Sequence, residues 1–358
     1  MNSETFFLAD RLLREGDARS AANAFRDIVE AVPEHVAGWR KYAEALEKLG
    51  NHDEAASATQ KGNAVEADHI TEVGSSLFFH GDEKRAKSFF THALALDEDC
   101  LSAHWLLGEY YSNLDDKKTA LHHYRRCMEI APDRQGPSFM IATLGEEASP
   151  DRAPDDYVSG FFNWYAEHFD SHLTDNLKYT GPQEVARALR QARPDGLEHV
   201  IDLGCGTGLA GVALEGLAAR LTGVDLSAAM LERAKATGVY QDLVEQDLVN
   251  ALSVQPAESA EAAISVDVLI YLGVLAPVFV ELARVLADNA IFIATFEEGV
   301  DIEDWELSSS GRYLHSENYL RKLAADSGFG VVSISRTTLR EEYGVPVPSL
   351  IATFEKRR

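Results

Sequence analysis

Along the first third of the chain, apolar residues recur at three- and four-residue intervals with alanines set among them, a pattern that predicts helices. Four segments repeat one design: GDARSAANAF (16–25), GNHDEAASAT (50–59), GDEKRAKSFF (81–90) and DDKKTALHHY (115–124). Each has a turn residue, then polar residues, then an alanine. Between 133 and 156 the period lapses into Pro, Gly and acids, which predicts a connector with room for one short helix. Val158, Phe161, Phe162, Tyr165, Phe169 and Leu173 then make a wide apolar stripe at helical spacing. From residue 199 the period changes again, to short apolar runs alternating with helical stretches, as in an α/β sheet. Runs expected as strands include RLTGVDL, AAISVDVLIYL (262–272) and AIFIATFE (290–297). VVSISRTTLR (331–340) and SLIATFEK (349–356) are expected as a closing antiparallel pair.

The repeated alanines, Ala21, Ala55, Ala86 and Ala120, stand 34, 31 and 34 residues apart. A period near 34 is that of tetratricopeptide repeats. Pro33 and Pro132 lie twelve residues beyond their alanines, where a second helix ends. Trp39, Tyr42 and Leu46 mark a first helix, as do Trp105, Leu107, Gly108 and Tyr111. A small alanine lets two helices approach closely, and each hairpin leaves an apolar face for the next to cover. The first third resembles a four-copy tetratricopeptide array, weaker in the second copy at Thr59 and Gly62 and three residues short at the third. The resemblance implies a concave surface for a peptide or protein; a structural cap or a dimer surface is the alternative.

The stretch HVIDLGCGTGLAGVAL reads as strand, glycine loop and helix. Glycine permits positive φ and lets a ligand touch the backbone. Free N–H groups at a helix start suit an anionic group. Asp225 ends the next strand, seventeen residues after Gly208, where an acid accepts hydrogen bonds from both ribose hydroxyls of a nucleoside. A glycine fingerprint alone is ambiguous with nicotinamide enzymes. Here the pattern is G-x-G-x-G preceded by Asp202. Ser227, Met230, Leu231 and Ala234 follow the acid, and VEQDL (244–248) places Asp247 after a third strand.

These features together resemble class I S-adenosylmethionine-dependent methyltransferases, from about residue 155 onward. DYVSGFFNWYAEHFDSHLTDNLKYTGP, SVDVLIYLG and LREEYGVPVPSLIATF are similar to bacterial members that carry tetratricopeptide repeats. The resemblance implies an α-helical repeat domain followed by a Rossmann-like α/β domain with a seven-stranded sheet whose last strand is antiparallel. The expected boundaries are 1–135 for the repeats, 136–156 for a linker and 157–358 for the methyltransferase domain, with 157–198 as a lid. It implies S-adenosylmethionine as cofactor. Asp202, Gly204, Cys205, Gly206 and Gly208 would form its loop, and Asp225 with Leu226 would meet the ribose. Met230 would pack near the adenosine, and Asp247 and Leu248 would take the adenine. Val266 ends the fourth strand, and Tyr165 or Tyr179 would reach the methionine carboxylate.

Charge narrows the partners. The chain has 33 Lys+Arg against 58 Asp+Glu, a net −25, which argues against nucleic acid. Cys100, Cys127 and Cys205 make no C-x-x-C, so a reducing cytoplasm is expected. The N-terminus becomes charged too soon for a signal peptide. The longest apolar run, VLIYLGVLAPVFV (268–280), is short of a membrane span. His168 and His172 are four apart, but Phe169 stands where H-E-x-x-H needs its Glu, so no metal is expected.

Methyl transfer from a sulfonium is an in-line displacement in which a base is optional. Candidates to touch the acceptor lie beyond the carboxyl ends of the strands. His315, in RYLHSENYL, is a candidate base, or else a helix-start histidine bonded to backbone. Asp267 and Tyr271 follow strand four, as acceptor contacts or as holders of the loop. Arg340 reads as a surface salt bridge, with an acidic acceptor as the alternative. The expected function is methyl transfer to an acceptor, such as a protein or peptide, recruited in part by the repeats. The rivals are a small-molecule methyltransferase whose repeats dimerise it into a homodimer, a cofactor-binding scaffold with little catalysis, and a nicotinamide oxidoreductase.

Overall fold

In the computed structural model, residues 3–166, 169, 178–342 and 344–357 are described. They form two compact units, Met1–Pro137 and Ser138–Arg358.

The first unit is a run of helices: α1 (Ser3–Arg14), α2 (Ala18–Ala31), α3 (Val36–Lys48), α4 (His52–Phe79), α5 (Glu83–Leu96), α6 (Leu101–Asn113) and α7 (Lys117–Ile130). Asp17 and Asp116 cap α2 and α7 by accepting backbone N–H groups of Ser20 and Thr119. All four repeat alanines are at most 1% exposed, at the closest approach of neighbouring helices. Gly108 is needed for the same reason: a Cβ there would come within 2.5 Å of the Tyr124 ring. The array departs from four equal copies at α4, a single helix of 28 residues. Where Pro33 and Pro132 follow the ends of α2 and α7, the second copy has Ala67, a strong helix former, and the helix continues. That lost turn is the origin of the short 31-residue spacing.

In the second unit, α8 (Gly136–Thr143) and α9 (Asp155–Tyr165) precede α10 (Gly181–Ala192) and a nine-stranded sheet. The strands are β1 (Leu197–Leu203), β2 (Ala218–Asp225), β3 (Asp242–Glu245), β4 (Ala260–Ser265), β5 (Leu286–Glu298), β6 (Trp305–Leu307), β7 (Tyr313–His315), β8 (Phe329–Glu342) and β9 (Val345–Lys356). Strands β3-β2-β1-β4-β5 are parallel; β9 runs antiparallel to β5, and β8 pairs with β9. These seven strands make the expected seven-stranded sheet, with the last strand antiparallel. The short β6 and β7 are additions that the sequence reading did not include. The end of β5 pairs with β7 at Glu297–Leu314 and Glu298–His315.

Successive residues of each strand face opposite sides. Ile201, Leu203 and Phe292 pack with Phe279 of α14 (Ala276–Val285) and Leu320 of α15 (Glu317–Asp326), while Val200, Ile264, Ile291 and Ile293 pack with Val185 and Leu189 of α10. Phe279, Phe292 and Phe354 are fully buried and stack or meet edge to face. Each contributes about 1.5–3 kcal/mol by burial. The two packed faces hold the carboxyl ends of β1, β2, β4 and β5 in one row. No helix among the described residues is long and apolar enough to cross a membrane.

Candidate functional site

The row of strand ends carries a backbone cradle. Gly204 and Cys205 both donate N–H to the Val224 carbonyl, at 2.7 and 2.9 Å, which folds the loop after β1 toward β2. Gly204, Gly206 and Gly208 all have positive φ, and α11 (Leu209–Ala213) starts directly after. At Gly204 an added Cβ would collide with Val268; at Gly206 it would meet only Phe169, at 3.9 Å. The loop is therefore closed on one side and roomy on the other. Asp225 holds it from across, accepting from Gly206 N at 2.8 Å and from Ser227 N at 2.9 Å. Burial pushes its pKa up, against those backbone bonds. Ser227 caps α12 (Ala228–Thr237), and Met230 is 1% exposed beneath it.

Asp202 is 1% exposed and accepts a hydrogen bond from the Tyr240 hydroxyl at 2.6 Å. Its other oxygen, Oδ1, has no partner among the described residues. Burial pushes its pKa to about 7. Asp247 caps α13 (Leu248–Ser253): Oδ1 accepts from Val249 N and Asn250 N, and Oδ2 lies 2.8 Å from Arg152 Nη2. Helix α9 reaches the cradle through Asn163, whose Oδ1 accepts from Ser227 Oγ at 2.7 Å and Ala229 N at 3.2 Å.

A methyltransferase domain model matches residues 201–294, and tetratricopeptide repeat models match 8–62 and 101–134. The chain carries a class I methyltransferase domain that uses S-adenosylmethionine. The repeats lie N-terminal to it. Among solved structures it is similar to an S-adenosylmethionine-dependent methyltransferase from Mesorhizobium loti, at 21% identity over 49% of this chain and 98% of that one, TM-score 0.39. It is similar also to 1,6-didemethyltoxoflavin-N1-methyltransferase from Burkholderia thailandensis, solved with 1,6-didemethyltoxoflavin and S-adenosylhomocysteine bound, at 17% identity over 59% and 94%, TM-score 0.45. No curated protein matches. The residues of the methyltransferase domain fit the cofactor: an unpartnered buried carboxylate oxygen, a glycine with space in front of it, and an acid at the end of the second strand.

The structure brings Asp202, Gly204, Cys205, Gly206, Gly208, Asp225, Leu226 and Met230 together around that loop. Asp247 and Leu248 lie at the end of β3, and Val266, half-buried, follows β4. The Cys205 thiol is 5% exposed and burial raises its pKa, so it fills space rather than reacts. Burial foremost raises the Tyr179 pKa, and the charges of Asp267 and Asp202 add to it, so it stands near both the cradle and the end of the fourth strand. Tyr165 ends α9, but its side chain lies outside the described residues, as do His168 and His172. Among the described residues no group of three or more His, Cys, Asp or Glu is arranged to hold a metal.

Beyond β4 and β5 the expectation changes most. Arg340 is not a surface residue. It is 4% exposed and bonded to three carboxylates: Glu342 at 2.9 Å, Asp267 at 2.6 Å, and Glu297. Arg312 joins the group through Glu297 at 2.5 Å and Glu342 at 2.7 and 2.8 Å. Each of the three nitrogens of Arg340 bonds a carboxylate, so its charge is already met within the protein. Asp267, at φ +59°, donates its backbone N–H to Thr295 and anchors this network at the end of β4. Tyr271 is half-buried, meets Phe162 of α9 edge to face at 5.7 Å, and is pushed up to about 12 by burial. It therefore stays neutral and offers a hydrogen bond rather than a phenolate.

His315 is drawn into the interior by strand β7. It is 0% exposed, stacks on Tyr319 and meets Phe296 edge to face. Its Nε2–H donates to the Gly273 carbonyl at 3.3 Å, and burial pushes its pKa down to about 4. The alternative of a backbone-bonded histidine describes it, and it is not within reach of an acceptor. Tyr240, Asn163, Arg152, Arg312, Glu297 and Glu342 were not singled out from sequence. They belong to no local motif; each acts by contact with a distant segment.

Proposed function

We propose that the second unit transfers the methyl group of S-adenosylmethionine to an acceptor on a protein or peptide chain that the repeats help to recruit. The observation that carries this reading is a cleft of about 320 Å³ along α7, lined by Lys118, His122, Arg125, Arg126 and Glu129. In a chain of net charge −25, a mostly cationic lining favours a chain segment that is itself acidic.

At the transfer site the protein's work is alignment and exclusion of water. The cradle and Asp225 would fix the cofactor's nucleoside. Asp267, oriented by Arg340, and the hydroxyls of Tyr179 and Tyr271 would orient the acceptor group. With three carboxylates set against two arginines, this edge suits a neutral or cationic acceptor over an anionic one. Three buried free thiols, Cys100, Cys127 and Cys205, suit a reducing compartment, and we infer the cytoplasm.

The test is incubation of the full chain with methyl-labelled S-adenosylmethionine and fractionated lysate. Label in protein bands, lost in a Lys118→Glu/Arg125→Glu variant that still binds S-adenosylhomocysteine, supports the reading. Label confined to small molecules would sink it and favour the small-molecule rival.

A further inference from the structure

Asp247 has one oxygen turned inward and one turned outward. Oδ1 is used by the N-cap, accepting from Val249 N at 3.0 Å and Asn250 N at 3.2 Å. Any ligand that uses this carboxylate must therefore use Oδ2, and Oδ2 is held by Arg152. The same nitrogen of Arg152, Nη2, also bonds Asp155 in the first turn of α9. One guanidinium thus bridges an acid of the cofactor edge and an acid of the covering helix.

The backbone under Arg152 is fixed. Asp151 O accepts from Gly273 N at 2.8 Å and Val274 N at 2.9 Å, and Ala153 N donates to Tyr271 O at 2.8 Å. Arg152 pairs as an isolated bridge with Leu272, and the Tyr313 hydroxyl donates to Pro150 O at 2.7 Å. The segment read from sequence as part of a linker is here a strap pinned across the loop after β4. What can move is the arginine side chain, 38% exposed and joined to each carboxylate through one nitrogen rather than by a two-pronged fork. Contacts of that kind are weak and readily exchanged.

We propose that Arg152 is a gating residue of the adenosine site: it occupies Asp247 when the site is empty and passes to Asp155 alone when an adenine amino group takes Oδ2. This rests on the assignment of Asp247 to the adenine. It does not depend on which acceptor is methylated. The site competent for adenine is then a fraction of the whole, and the apparent affinity falls by that fraction. With its arginine end exposed and Asp247 9% exposed, such a pair biases the equilibrium about two- to fivefold. Asp155 has the opposite effect, because it offers Arg152 a place to go.

The experiment is titration of the full-length protein with S-adenosylhomocysteine by calorimetry, with association followed by stopped flow. This ligand carries no transferable methyl, so failure of the acceptor reading leaves the result untouched. Arg152→Met should bind about two- to fivefold more tightly and associate faster. Asp155→Asn should bind more weakly, and the double variant should match Arg152→Met, since Asp155 acts through Arg152. Added salt should tighten binding in the wild type and leave Arg152→Met unchanged. Weaker or unchanged binding in Arg152→Met, or an effect of Asp155→Asn that persists without the arginine, would overturn the proposal. Asp247→Ala should weaken binding; unchanged binding there would overturn the proposal and the adenine assignment together.

Discussion

Replacing Arg340 with Met tests the reading of the acceptor edge. Methionine keeps most of the volume and removes the charge. Glu297 and Glu342 then share only Arg312 and Asp267 loses its arginine, while Glu297 is 6% exposed at its side chain. Breaking a buried pair on one side costs about 3–5 kcal/mol, because the abandoned charge stays buried. Asp267 and Glu342, at 19% and 27%, regain some water, so the low end applies, about 3 kcal/mol. For a unit of about 200 residues that corresponds to a fall in Tm of roughly 6–12 °C. Calorimetry on the full chain measures it, with hydrogen exchange in β5 and β9 assigning the transition to the second unit.

The pH dependence sharpens the test. In the wild type burial raises Glu342, but Arg312 and Arg340 more than offset it and hold the pKa low. A lowered carboxyl contributes stability that is present above its unfolded pKa and lost as pH falls through the folded one. Without Arg340, burial of Glu342 is opposed by Arg312 alone, so its carboxyl rises and acid costs the variant less stability than it costs the wild type. The deficit should therefore shrink between pH 8 and pH 5, and Glu297→Gln in the Arg340→Met background should restore part of it. A Tm within 2 °C of wild type at pH 8, or a deficit that widens in acid, would refute a buried network with surplus negative charge.

Asp225→Ala should weaken S-adenosylhomocysteine binding at least about a hundredfold, since two hydrogen bonds to a charged acceptor are each worth about 1.5 kcal/mol or more; near-normal affinity by calorimetry would remove Asp225 from the ribose. Asp202→Asn should gain in Tm relative to wild type as pH rises from about 4 to about 7, because over that range the unfolded carboxyl ionises while the buried one, raised from 3.8 to about 7, holds its proton. His123, whose ring lies 2.9 Å from His104, is depressed to about 4 by burial, so its contribution is present above pH 6.5 and lost toward pH 4. Helicity of the repeats should then fall over that window, less steeply in His123→Gln, as circular dichroism would show. Gly108→Ala should push on Tyr124 and cost about 1–3 kcal/mol, read as a lower Tm of the first unit.

The sequence made the cofactor edge legible because that edge is local. A tight turn under a nucleoside demands glycine at fixed spacing, and the acid that holds it ends the next strand. Gly204, Gly206, Asp225 and the cap at Ser227 all lie within 24 residues of one another. The repeats were legible for a similar reason: Ala21 and Ala120 are small because another helix lies against them. The long α4 was less so, because its cause is a missing proline after Ala55, and a missing stop signal is hard to read. Tyr240 on Asp202 and Asn163 on Ser227 were not readable, since partners 38 and 64 residues away leave no spacing to recognise.

The acceptor edge is the opposite case, and its misreadings share one cause. His315 was read at the start of a helix because Tyr313–His315 is too short to announce itself as a strand; it becomes one only by pairing with the extended end of β5. Pairing there also brings Arg312, just before β7, beside Glu297 on β5, and long strand β8 carries Arg340 and Glu342 to the same place. A net charge of −25 says nothing about such a spot, where two arginines and three carboxylates interlock in the interior. The cofactor edge is thus set by a motif that any acceptor can share, while the acceptor edge is set by contacts among segments 267–271, 297, 312 and 340–342. Changes within those segments should alter which acceptor is methylated while S-adenosylhomocysteine binds as before. A set of substitutions there that changed cofactor affinity and acceptor choice in step would show that the two edges are one site rather than two.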